Sequence, residues 1–112
     1  RWAASGILCR CALELPETVA TLEKAAAGPS DERAKMAIYC LRDMGAERGA
    51  LYRRALGRRD SGVRFAALSA LAKCRELAAS DIDAMEEVAV SDADQGVRRA
   101  ARALLDKRAG GG

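Results

Sequence analysis

The stretch "DSGVRFAALSALAKC", Asp60 to Cys74, is written a second time as "DQGVRRAARALLDKR", Asp94 to Arg108. Within the first copy Val63, Ala66, Ala67, Ala70, Leu71 and Cys74 fall at i, i+3, i+4, i+7, i+8 and i+11. That spacing is one buried face of an α-helix. The second copy repeats it with Val97, Ala100, Ala101, Leu104 and Leu105, until Arg108 stands where Cys74 stood.

The same stripe is found upstream. Met36, Ala37, Cys40, Leu41 and Met44 keep the spacing, and Ala3, Ala4, Ile7, Leu8 and Cys11 keep it once more. Four helices thus share one pattern at intervals of about 30 to 34 residues, a period at which self-similarity signals a solenoid. Shorter helices alternate with them. Pro16 and Glu17 suit a helix start and Gly28-Pro29 a stop. Leu51, Ala55 and Leu56, then Met85, Ala89 and Val90, are the apolar positions of two further first helices.

Each repeat is therefore expected to be a helical hairpin. First helices are predicted at 17–27, 47–58 and 81–90, and striped second helices at 2–14, 31–44, 61–77 and 94–107. Ser30, Asp60, Ser80 and the Ser91 to Asp94 cluster offer side-chain oxygens to the free amides of helix starts. The expected fold class is all-α: an α-α superhelix, a right-handed α-solenoid of seven helices and about 3.5 hairpins. It occupies 1–108 as a single domain, with a flexible tail at 109–112. Nothing in that layout covers Ala3, Ile7 and Leu8, so the chain reads as an excerpt of a longer protein.

Composition narrows the function classes. Half of the 112 residues are apolar and 31% are charged, and the only aromatics are Trp2, Tyr39, Tyr52 and Phe65. A net charge of +3 is too mild to mark a strong nucleic-acid binder, so the distribution of charge matters more than its sum. No run reaches the roughly 18 apolar residues of a membrane span. The four cysteines, Cys9, Cys11, Cys40 and Cys74, sit in a chain unlike a loop-rich secreted scaffold. Free thiols in the cytoplasm are expected.

Histidine is absent, which removes the commonest general base and the imidazole metal ligand. No phosphate-cradling glycine loop, serine nucleophile elbow or paired CxxC occurs. Cys9 and Cys11, two positions apart on a helix, point about 200° apart and cannot clamp one ion. No catalytic residue, cofactor or metal is expected. Asp83, Glu86 and Glu87 fall on the wet face of a first helix, and Asp81 at its start. Arg53, Arg54, Arg58 and Arg59 lie near the end of another, where cations suit the helix dipole and read as solvated.

"SDADQGVRRAARALL" and "RRDSGVRFAALSAL" resemble HEAT repeats, in particular the short HEAT-like type of phycobilisome lyases: an Asp, then Val-Arg, then Ala-Ala and Leu. The likeness extends over nearly the whole chain, and "DERAKMAIYCL" departs from it, with Arg33 and Ala34 in place of Val-Arg. It implies that Arg64 and Arg98 are structural, bonding an Asp in a neighbouring turn, with Asp60, Asp92 and Asp94 as the partners on offer. It implies too that the second helices line a concave side.

On that implied surface stand Trp2, Lys35, Phe65 and Arg99, with Tyr39, Ser69 and Ala103 one turn later and Arg42 and Arg102 beside them. Aromatic and arginine side chains anchor interfaces. Two readings stay open: groove anchors for a partner, or Trp2 and Phe65 packed sideways between repeats. The expected function is a non-catalytic scaffold that binds another protein, or the rest of its own chain, on Trp2, Lys35, Tyr39, Arg42, Phe65, Arg99 and Arg102. The alternatives are a nucleic-acid binder like the HEAT-like DNA glycosylases, and a subunit like the bilin lyases, for which Cys9 is the one candidate thiol.

Overall fold

The computed structural model describes residues 16–110 of the chain. Helices account for all its regular structure: α1 (Pro16–Ala27), α2 (Asp31–Asp43), α3 (Gly49–Ala55), α4 (Ser61–Lys73), α5 (Ala79–Ser91) and α6 (Gln95–Gly110). Among the described residues these are six, with no strand; the predicted helix at 2–14 lies outside them.

Local chemistry sets the helix starts. The Ser30 hydroxyl accepts from the Arg33 amide at 3.3 Å, the Asp60 carboxylate from Val63 at 2.9 Å, and the Asp94 carboxylate from Val97 at 3.0 Å. Each satisfies one of the amides that a first turn leaves free. Ser80 departs from the prediction: it lies inside α5, which begins two residues early, and the Asp81 carboxylate takes the Ala78 amide instead.

Helix ends differ more. α2 stops at Gly45, whose φ of 76° suits glycine, and the Gly45 and Ala46 amides return to the carbonyls of Arg42 and Leu41. α4 was expected to reach residue 77 but ends at Lys73. Two tertiary contacts compete for its last backbone groups. The Glu47 carboxylate accepts from the Arg75 and Glu76 amides, and Arg108 donates to the Cys74 and Arg75 carbonyls. α3 is also shorter than its predicted 47–58, whereas α6 runs past 107.

Connections of three to five residues join α1 to α2, α3 to α4 and α5 to α6, so that each pair is a hairpin. Every helix packs on its hairpin partner and on its counterpart in the adjacent hairpin: α2 on α4, α4 on α6, α1 on α3, α3 on α5. Two rows result. Between them lie Ala37, Leu41, Val63, Ala67, Leu71, Val97 and Ala101, all of them buried. Alanines let the rows approach closely, while burial of each Leu or Val contributes about 1.5–3 kcal/mol.

α4, in the middle, is enclosed on three sides, with Ala66 and Leu68 buried as well as the stripe. Leu68 corresponds to Ile38 on α2, also fully buried, and to Arg102 on α6, which is exposed. Tyr52 is fully buried too, and its hydroxyl donates to the Ala46 carbonyl at 2.7 Å.

Candidate functional site

The charged residues of the repeat phrase meet at the turns. Arg64, at the start of α4, donates from Nε to Asp92 Oδ2 at 2.7 Å and from Nη2 to Asp92 Oδ1 at 2.9 Å, reaching the α5–α6 turn. Its remaining terminal nitrogen bonds the Arg58 and Arg59 carbonyls of its own turn. Arg98 bonds the Asp92 carbonyl, and Asp92 Oδ1 also accepts from the Asp94 amide. Asp60 and Asp94 serve as helix caps. Burial pushes the Asp92 carboxyl up, but the bonds from Arg64 and the Asp94 amide outweigh it, with the Arg64 and Arg98 charges, and hold it below the usual carboxylate range.

The joint between the first two hairpins is made differently. Ala34 occupies the place of Arg64 and is buried, so no arginine reaches forward there. Arg58 reaches back instead, bonding the Gly28 carbonyl at 2.6 Å and Asp31 Oδ1 at 2.8 Å. Arg53 bonds Asp81, a buried carboxylate, at 2.5 Å. Reading Arg53 and Arg58 as solvated cations is thereby corrected; a sequence window that covers one hairpin does not contain their partners in the next.

Of the proposed partner-binding residues, Trp2 lies outside the described residues. Lys35 pairs with Glu32 at 3.4 Å and lies over Gly62 of α4, where a Cβ would meet Nζ at 3.2 Å. Arg42 stacks on Tyr39 at 4.9 Å, bonds Asp43, and donates to the Ser69 hydroxyl at 2.7 Å, clasping α2 to α4. Phe65 is the large apolar side chain that stays open on α4, 46% exposed. Arg99, at the corresponding place on α6, is exposed; Arg102 is exposed too, but at the position of Ile38 and Leu68, on the flank of α6 away from α4.

Between α4 and α6 opens a groove of roughly 630 Å³. Its apolar surface comes from Phe65, Ala72, Ala100, Ala103 and Leu104, with Ser69 on one wall. Lys73, Lys107 and Arg108 line its far end, and no carboxylate lines it anywhere. The sequence reading named Phe65, Ser69 and Ala103 but passed over the basic end. Carrying its own i, i+4 step one turn further, from Phe65 and Ser69 to Lys73 and from Arg99 and Ala103 to Lys107, would have found both lysines.

These side chains supply contact and charge. Cys40 and Cys74 are buried thiols outside any disulfide, and burial, reinforced by the charges of Glu47 and Asp81, pushes the Cys74 thiol up, away from the reactive thiolate. Burial pushes the Tyr52 phenol up as well. Among the described residues no group of three His, Cys, Asp or Glu side chains could hold a metal ion, and no helix is long and apolar enough to cross a membrane. No protein-family model matches the chain, and neither a curated protein nor a solved structure matches it.

Proposed function

We propose that the chain is a non-catalytic, cytoplasmic protein-binding module, a short right-handed HEAT-like α-solenoid whose second-helix face docks another protein or a further part of its own chain. The row-by-row packing of α2, α4 and α6 and the recurring Asp…Val-Arg…Ala-Ala phrase support the repeat reading. One observation carries the docking reading: Phe65 stands half-open over an apolar groove on the second-helix side. Exposed aromatics beside cations are the residue types that anchor interfaces.

The test compares the wild-type chain with the double variant Phe65→Ala/Arg99→Ala as bait, both with melting curves measured beforehand. A protein retained by the wild type and lost by an equally stable variant supports docking on this face. Equal retention, or a variant whose melting temperature collapses, overturns it.

A nucleic-acid reading draws on one feature, the exposed Arg99 and Arg102 of α6 with Lys107 beyond them. Phosphate neutralisation would make the affinity for a labelled oligonucleotide fall steeply with added salt. Retention of a protein partner at high salt, with no such oligonucleotide binding, rejects it.

A further inference from the structure

We propose that the α4/α6 groove receives an acidic amphipathic segment, with its apolar side chains seated between Phe65 and Leu104 and its carboxylates against Lys73 and Lys107. This rests on the docking reading above and names the chemistry of the occupant.

The groove is polarised along its length. Phe65 and Lys73 are eight positions apart on α4, about 12 Å along the axis, enough for two turns of a docked helix. Apolar wall begins at the Phe65 ring and the Ala100 methyl and continues through Ala103 and Leu104, with the Ala72 methyl carrying it up to Lys73. Cations occupy the far part, where α4 ends at Lys73 and α6 approaches its own end.

Charge complementarity decides the sign of the partner. The C-terminal ends of helices are negative, each equivalent to about half a charge, and alone they would repel a carboxylate. Three cations outweigh them. Arg108 is committed to the Cys74 and Arg75 carbonyls, which shields that helix end. Neither Lys73 nor Lys107 has an ion-pair partner in the described residues. With no Asp or Glu in the lining, both ammonium groups are free to meet an incoming carboxylate.

Apolar wall argues against nucleic acid as the occupant. Phosphate backbones are read by continuous basic grooves with stacking aromatics. Here one aromatic ring and the lysines stand at opposite ends, with alanine and leucine between them.

The experiment uses the full chain and a fluorescein-labelled synthetic helix-forming peptide with leucines along one face followed by a run of glutamates. Comparison probes are a scrambled peptide of the same composition, a lysine-for-glutamate peptide, and a labelled oligothymidylate. Anisotropy gives affinity, and backbone amide shifts give position. The expected result is binding of the acidic peptide alone, with shifts at Phe65, Ala72, Ala103 and Lys107. Lys73→Glu/Lys107→Glu should weaken it by about tenfold or more, and the lysine peptide should then bind the variant better than the wild type. Phe65→Ala should weaken it without moving the melting temperature.

Binding of the scrambled peptide equally well, or no binding of the acidic one, overturns the proposal. Shifts confined to Lys35, Tyr39 and Arg42 overturn it while leaving docking on the second-helix face standing. Shifts away from α2, α4 and α6 altogether overturn both. Preferential binding of oligothymidylate at Phe65 and Lys107 overturns both in favour of nucleic acid.

Discussion

Arg64 and Asp92 meet through two parallel hydrogen bonds, 2.7 and 2.9 Å long, between the start of α4 and the turn that leads into α6. Their side chains are 11% and 6% exposed, so the pair is shielded from water and from salt. Fork-on-fork geometry fixes the distance and the angle between two hairpins together. Since Arg64 also holds the Arg58 and Arg59 carbonyls, one guanidinium ties the second turn to the third.

Breaking this pair from one side leaves an uncompensated buried charge. Arg64→Met is expected to cost roughly 3 kcal/mol in urea unfolding, and Arg64→Lys to recover only part, because an ammonium cannot bond both carboxylate oxygens in parallel. A loss under about 1 kcal/mol for Arg64→Met would show that the joint does not depend on this contact.

Acid should reveal the same pair. The folded-state pKa of Asp92 lies below its ordinary value of 3.8. A depressed carboxylate contributes stability that is present above the unfolded pKa and is lost as pH falls through the folded one. The melting temperature of the wild type should therefore fall more steeply below about pH 4 than that of Asp92→Asn, with the two curves converging at the acid end. Parallel curves would contradict it.

Two residues three positions apart on α4 should separate folding from binding. Leu68 is fully buried and Phe65 half-open. Leu68→Ala is expected to cost about 2–5 kcal/mol, the usual range for a buried leucine, and Phe65→Ala less than about 1. If Phe65→Ala cost as much as Leu68→Ala, the ring would be packing between repeats, the alternative left open by the sequence.

Helix positions were legible wherever an apolar stripe and a capping oxygen coincide, as at Ser30 and Asp60. Ends set by distant groups were not: α4 stops at Lys73 because Glu47, 28 positions before Arg75, and Arg108, 34 positions after Cys74, take its backbone groups. Partnerships across hairpins followed the same division. Arg64 with Asp92 could be anticipated from the repeat phrase, whereas Arg58 with Asp31 and Arg53 with Asp81 belong to no repeated motif. The basic end of the groove went unread because Lys73 and Lys107 look like ordinary last-turn cations until the two helices are set side by side.

Arg102 holds the flank of α6 open to water. Ile38 and Leu68, at its place on α2 and α4, are buried where the next second helix packs. Arg102→Leu should leave the stability of the monomer within about 0.5 kcal/mol, as exposed sites do, while extending an apolar flank beside Leu105. The expected outcome is concentration-dependent self-association in sedimentation velocity, absent from the wild type. A strictly monomeric variant at every concentration would mean that this flank is too small to hold a neighbour.

Gly49, the first residue of α3, tests whether Asp81 is held rigidly. A Cβ at Gly49 would lie 2.7 Å from Asp81 Oδ2, closer than such contacts allow. Asp81 has little freedom to withdraw, because its two oxygens are bound by Arg53 at 2.5 Å and by the Ala78 amide at 3.2 Å. Alanine would ordinarily favour a helix over glycine by up to about 1 kcal/mol. Here the overlap should outweigh that gain, so that Gly49→Ala destabilises by about 1–2 kcal/mol. Paired with Asp81→Asn, whose smaller charge loosens its hold on Arg53, the two costs should add to less than their sum, since the neighbours couple through one carboxylate. A stabilised Gly49→Ala variant would mean that the Asp81 carboxylate swings aside and that the Arg53 bond is easily remade.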